Sequence, residues 1–418
     1  MTKKLLLKNT TNAYLYDGAT VTAITDVDFP ATTCRGVAYL DKRFFVCTPE
    51  GLVYQSAEED GSSWAALEFV GAKVEPDRAV YFCKYRDYLM VIKEWSTEFF
   101  YDAANATGSI LAPVRNMFFR IGCAHDGSVK ETAGTVYWMG VTKDGFGRSI
   151  YRMADNTAQP ISTPQVDKIL DADTLSSVTS WTAKLGAHEF YGINLTSISL
   201  AYDISSGLWS VFSYLTASGV TKTITAIGTD GAVTSAAHGY SDGEIIKVSS
   251  TNADWDGWHV VTNVSTNAYS IQGTGAAFSG SGTSEKHTEG LFPIKHSTSC
   301  GGKQIMQADN VLYEFLPSQT SDEIGAMATR IRTVKFDGGT AKEKSFSEAE
   351  LIGDKIDSTA LIRYSDDDYV AFSKFRPVDL SINRSRVRRL GSASRRGFEI
   401  LHVGDALIRL EALEIEAS

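Results

Sequence analysis

Apolar runs of about four to eight residues, closed by Gly, Asp or Asn turns, recur along most of the chain and predict short β-strands. They come in pairs: a turn, an apolar strand, a second turn, then a strand rich in Tyr, Phe or Trp. Such pairs occupy residues 41–46 and 51–55, 86–92 and 97–101, 134–139 and 148–152, 186–193 and 199–209, and 302–306 and 311–315. Phe45, Met90, Trp138, Tyr191 and Met306 take equivalent places, at intervals of 45, 48, 53 and 115 residues. The first three intervals fit a propeller blade, which uses about 40–50 residues for four strands. The last leaves 50 once the 65 residues of 221–285 are set aside as an insertion.

The pattern therefore predicts an all-β fold: a β-propeller of about six blades with an inserted small β-barrel or sandwich domain and a C-terminal β-sheet region. Residues 1–220 hold most blades, 221–285 the insert, 286–325 a remaining blade, and 326–418 the C-terminal region. A hairpin over 12–24 starts a further blade, which strands from 326–418 are expected to complete, closing the ring. Five short strands, 223–227, 232–234, 244–248, 258–262 and 268–271, make up the insert. Turns at Asp230-Gly231, Asp242-Gly243 and Asp256-Gly257 separate several of them. Residues 273–284, rich in Gly, Ser and Ala, read as a flexible tether. Helix signals are sparse; Thr163 as cap and Pro164 in the first turn predict one short helix over 163–170.

Length supports this reading. The chain has 418 residues, more than the ~250–300 one ordinary core accommodates, unless a repeat spreads the core sideways. Charge narrows the function classes. There are 40 Lys+Arg against 50 Asp+Glu, a net charge of -10, which argues against a general nucleic-acid coat or a basic membrane binder. No apolar run reaches the ~18–20 residues of a membrane helix. Five cysteines (Cys34, Cys47, Cys83, Cys123 and Cys300) include no C-x-x-C pair, so neither a zinc site nor a disulfide framework is expected. The start of the chain has three apolar residues before the next charge, against the about 7–15 of a signal peptide, and points to synthesis in a cytosol with reduced thiols.

Candidate chemistry is thin. His188-Glu189 lacks the second histidine of a zinc-protease helix and falls on a predicted strand. No phosphate-binding glycine loop and no G-x-S-x-G occurs, and Asp366, Asp367 and Asp368 lack the glycine and distal glutamate of a calcium loop, which leaves a solvated turn. No catalytic residue, metal site or cofactor is expected. Residues 56–64 and 365–372 resemble the Asp box of sialidase-type propellers, a structural hairpin whose acid caps backbone N–H groups and whose aromatic packs on the sheet.

The densest charge run lies between Arg376 and Arg396, with Asp379 its one acid. A nucleic-acid or phosphate patch, a solvated strand pair and a subunit interface all fit it. The interface is favoured, because the chain is acidic overall and the run lacks interleaved aromatics. Its candidate contact residues are Arg384, Arg386, Arg388, Arg389, Arg395 and Arg396. Trp255 and Trp258, near the tip of the insert, are candidate contact residues of that domain, with a place in its small core as the safer reading.

The order of motifs carries a family resemblance. Arg35-Gly-Val-Ala-Tyr-Leu-Asp-Lys-Arg-Phe-Phe45 is followed by Glu75-Pro-Asp77, Thr97-Glu-Phe-Phe-Tyr101, Ile121-Gly-Cys123 and Val136-Tyr-Trp-Met-Gly140. Then come Ile161-Ser-Thr163, Gly186-Ala-His-Glu-Phe-Tyr191 and Gly207-Leu-Trp209. Together they resemble the tail nozzle proteins of short-tailed bacteriophages, also called tail hub or packaged-DNA stabilisation proteins, well over 30–215 and loosely over 286–418. In the insert, His238-Gly-Tyr-Ser-Asp-Gly243 and Asp256-Gly-Trp-His-Val-Val261 resemble a small β module of various phage virion proteins that has no fixed role. The resemblance implies a virion tail protein without enzymatic activity. It implies a sixfold ring of this chain below the portal adaptor protein, extending the DNA channel and holding it shut until infection, with a tail fibre or spike at its side. Double-stranded DNA would pass through without specific binding. A carbohydrate-binding or glycoside-cleaving propeller is the alternative, prompted by the Asp-box-like turns.

Overall fold

A computed structural model of the chain describes residues 4–145, 147–316, 319, 321 and 325–418. The first three residues of the chain start, read above for a signal peptide, lie outside that set. The chain divides into two compact units, Met1–Phe212 with Pro293–Phe315, and Ser213–Phe292 with Leu316–Ser418.

Among the described residues the first unit holds six antiparallel sheets in chain order. The first contains Leu5–Lys8, Ala13–Tyr16 and Val21–Ala23. The second runs from Ala38–Leu40 to Asp60–Gly71, the third from Ala79–Tyr85 to Leu111–Phe119, and the fourth from Gly122–Cys123 to Thr157–Pro160. The fifth starts at Thr179–Leu185, and the sixth contains His296–Cys300, Lys303–Ala308 and Val311–Glu314. This is the all-β blade pattern of a propeller.

Cores form between successive sheets. Leu6 and Leu15 pack with Val46 and Trp64. Phe45 and Val53 pack with Phe82 and Val91. Met90 and Phe99 meet Trp138 and Met153, and Tyr137 and Ile150 meet Tyr191 and Leu200. Between the fifth and sixth sheets there are also hydrogen bonds: Thr182 N donates to Ser297 Oγ (2.6 Å) and Lys184 N to Gln304 Oε1 (3.2 Å).

The α-helix Pro164–Ala172 caps on Thr163, whose Oγ1 accepts from Val166 N. Its apolar side delivers Val166 and Leu170 to the core shared by the fourth and fifth sheets.

The C-terminal strands form two sheets of their own. One has the order Met327–Arg332, Gly397–Gly404, Thr359–Ser365, Arg376–Asp379; the other Ser385–Ala393, Lys344–Gly353, Leu410–Ala417. Among the described residues none of these strands pairs with the first sheet. This corrects the expectation that residues 326–418 complete the N-terminal blade. Their apolar faces, including Leu351, Ile362, Val387 and Ile400, bury one another instead.

The insert has a core of Ile224, Ile246, Trp255, Val261 and Tyr269. Its boundary differs from the sequence reading. Leu208–Ile227 is one strand that pairs in the fifth sheet up to Phe212 and with Phe278–Leu291 from Ser213 onward. A boundary inside a continuous strand leaves no turn signal. The expected flexible tether is also corrected, since Phe278–Leu291 is a strand between Leu208–Ile227 and Ile245–Ser249. Its small residues allow the fit. Ser284 is buried and its carbonyl accepts from Tyr240 Oη at 2.9 Å.

Candidate assembly surface on the C-terminal sheets

Several of the residues that carry the family resemblance turn inward, while others, Tyr39, Lys42 and Leu208 among them, stay exposed. Asp77 and Glu98 lie against Lys93, with Nζ 2.8 Å from Asp77 and 3.1 Å from Glu98, and none of the three is open to solvent. Asp77 also accepts from Trp95 N and Ser96 Oγ, and Glu98 from Val74 N. The cluster pins the link leaving the second sheet to the strands of the third. Burial alone would raise the Asp77 carboxyl, but the Lys93 ammonium and the two further donors hold it below its ordinary value. Trp138 Nε1 donates to Gly122 O, Tyr191 Oη to Ser128 O and Trp209 Nε1 to Ile161 O. A Cβ on Gly122 would stand 2.3 Å from the backbone of Glu94 and Trp95, so only glycine fits there. These motifs are fasteners.

The Asp-box-like turns are structural too. Asp60 Oδ1 accepts from Ser62 N, and Trp64 is buried with Nε1 donating to Gly61 O. Asp367 Oδ1 accepts from Ala371 N at 2.8 Å. Among the described residues no group of three or more His, Cys, Asp or Glu is placed to hold a metal ion. His188 Nδ1 lies 2.7 Å from Asp203, a pair at the ends of two inner strands of the fifth sheet.

The charged run behaves less uniformly than its sequence suggests. Arg396 is buried, its Nε and Nη2 grip both oxygens of Asp366, Nη1 donates to Leu390 O, and its guanidinium lies over Phe346 and Tyr364. It is therefore removed from the candidate contact residues. Arg395 meets Asp368, which Lys335 also contacts. The acidic run 366–368 is the exposed turn read from sequence, and Asp366 and Asp368 also receive arginines there. A buried carboxylate was missed altogether. Glu399 accepts from Arg330 Nη1 (3.0 Å), Arg332 Nε (2.6 Å) and Arg363 Nε (2.8 Å). Burial would raise its pKa, yet the three guanidiniums outweigh burial and hold it below the ordinary value. Arg363 also stacks over Phe372 and Phe375.

Arg384, Arg386, Arg388 and Arg389 remain on the outside, though the first three already have partners in the chain. Arg386 Nη1 and Arg388 Nε donate to the two oxygens of Glu348 (2.9 and 2.7 Å), and Arg384 lies 3.9 Å from Glu350. Arg388 first, then Arg386, holds the Glu348 carboxyl below its usual range. Arg389 is exposed, in a left-handed conformation (φ 58°) at a bulge of its strand.

The two tryptophans separate. Trp255 is fully buried with Nε1 donating to Ala276 O, which rules it out as a contact residue. Trp258 is half-buried, edge-on to His287 and under the Lys247 ammonium. It borders a cavity of about 170 Å³ together with Gln272, Ser358, Leu361 and Leu401.

What these sites define is a propeller fastened by its motifs and followed by sheets dense in ion pairs. Residues 2–236 match the family described as Bacteriophage P22 Gp10, beta-propeller, and the chain belongs to that family. It is a bacteriophage structural protein. No curated protein matches the chain. Among solved structures it is similar to BamB from Moraxella catarrhalis, at 13% identity over 74% of this chain and 92% of that one, with a TM-score of 0.31. It is also similar to a chain of the Mitotic Checkpoint Complex, at 11% identity over 75% and 83%, TM-score 0.34, and to the computationally designed Ika8 protein, at 11% over 74% and 82%, TM-score 0.33.

Proposed function

We propose that this chain is a tail nozzle subunit of a short-tailed phage. In this reading six copies form a ring below the portal adaptor protein, extend the DNA ejection channel and keep it closed until infection. A tail fibre or spike attaches at the side. The protein is made in the host cytoplasm, works in the virion tail and needs no catalysis or cofactor.

The observation that supports this best is the use of the family-marking residues. Asp77, Glu98, Gly122, Trp138, Tyr191 and Trp209 hold links and sheets together. That is the design of a rigid body, and propeller blades as a class pack side by side without uncontrolled sheet pairing. Charge agrees. Six chains of -10 carry -60, and an acidic channel wall repels DNA, letting it slide, where a basic wall would hold phosphates.

The test is immunogold labelling of intact phage with an antibody to the purified chain. Label at the distal end of a short tail is expected. Label on side appendages, or none on intact particles, would overturn the nozzle reading and turn attention to glycan binding by the propeller.

A further inference from the structure

The outer sheet of the C-terminal region has two unlike edges. Ser385–Ala393 and Leu410–Ala417 each pair only with Lys344–Gly353 among the described residues, so each leaves one edge open. On the outward face the register builds two rows. One runs Arg386, Glu350, Glu414, and the other Arg388, Glu348, Glu416. Each row is one cation followed by two anions. Like charges directly opposite across strands are unfavourable. The middle carboxylates are answered by arginines, but among the described residues Glu414 and Glu416 have no cationic partner. At the other edge Arg386 and Arg388 spend only one nitrogen each on Glu348, and Arg388 stays 60% exposed. One edge is thus short of cations and the other has guanidinium donors to spare.

We propose that this sheet is self-complementary: the Leu410–Ala417 edge of one copy docks on the Ser385–Ala393 edge of the next, with Glu414 and Glu416 facing the next copy's Arg386 and Arg388. The bulge at Arg388 and Arg389 interrupts the ladder on that edge, so the contact is made by side chains more than by a continuous sheet. Because the two edges differ, each copy uses one edge on either side. Such a head-to-tail contact makes a closed ring where the rotation closes. The inference rests on the ring reading above and names the surfaces that would build the ring.

Sedimentation velocity of the full chain tests it. The wild type is expected to associate at low salt and to fall apart as salt rises, since exposed charge pairs are screened. Glu414→Lys with Glu416→Lys should stay monomeric while melting no lower than wild type, because it removes two like-charge contacts inside the sheet. Arg386→Glu and Arg388→Glu, combined with Glu348→Lys to keep the inner pair, should also stay monomeric. An equal mixture of the two variants should associate again, since each then offers the other a matching edge. A wild type that is monomeric at every salt, variants that associate like wild type, or a mixture no larger than its parts would overturn the proposal. If the edge contact fails while gold still labels the tail tip, the ring uses another surface and the nozzle reading stands. If association behaves as stated but gold labels elsewhere, the nozzle reading falls and the edge contact stands.

Discussion

Lys93 Nζ lies 2.8 Å from an Asp77 oxygen, and neither side chain has any exposure to solvent. With Glu98 this makes one cation against two carboxylates, balanced by donors from Trp95, Ser96 and Val74. Buried ion clusters do little for stability compared with apolar packing, but breaking one strands a charge. Lys93→Met should therefore lower unfolding stability by about 3–5 kcal/mol, read by urea denaturation. A loss within the scatter of surface substitutions would show that the cluster is not a fastener.

Glu399 makes a prediction about pH. Its folded-state pKa lies below the ordinary 4.5, so the unfolded chain takes up the proton first as pH falls. Its contribution is fully present above 4.5 and is lost as pH drops through the lower, folded-state value. Glu399→Gln leaves three arginines without their carboxylate and should cost about 3–5 kcal/mol at neutral pH. The gap between wild type and variant should then narrow in acid below 4.5. A gap that stays constant across that window would mean the arginines are balanced by other groups.

Blade spacing was legible because its markers are large core residues. Phe45, Met90, Trp138, Tyr191 and Met306 are all buried, and burial is what turns a run of apolar residues into a periodic signal. The fasteners were legible as motifs but not as contacts. Lys93 ends an apolar run and reads as an ordinary strand terminus, and its partners come from a preceding link and a following strand. Arg396 and Asp366 are 30 residues apart, and nothing local in either pairs them. Composition misled at residues 273–284, where Gly and Ser read as a tether. There the neighbours decide, because small residues let that strand lie between two others.

Thiol reactivity follows from burial. Cys34, Cys47, Cys83 and Cys123 are buried, and Cys300 is exposed. Burial pushes the Cys123 thiol up to about 12 and raises those of Cys47 and Cys83 well above their usual value. The reactive thiolate is scarce at those sites at neutral pH. One fast-reacting thiol per native chain is expected with Ellman's reagent, rising to five on unfolding, and Cys300→Ser should abolish the fast phase. A fast phase that survives this substitution would show that a buried site opens readily.

The insert can be tested where its ribbon closes. Ile227 pairs with Phe278, so a deletion of residues 228–277 bridged by a short Gly linker leaves that ribbon joined. The deletion removes Ile245 and Val260, which pack with Leu361, Phe375 and Leu401 of the C-terminal region in the same compact unit. Each fully buried side chain of this kind contributes about 1.5–3 kcal/mol, so several are lost at once. The second unit should melt at a lower temperature or lose its transition, while the first, with its own inter-sheet cores, should keep its transition in calorimetry. Phe375→Ala probes the same contact without a deletion and should cost the second unit about 3–5 kcal/mol. An unchanged second transition in both variants would show that the insert stands on its own core alone. Loss of the first transition would show that the propeller needs the insert to fold.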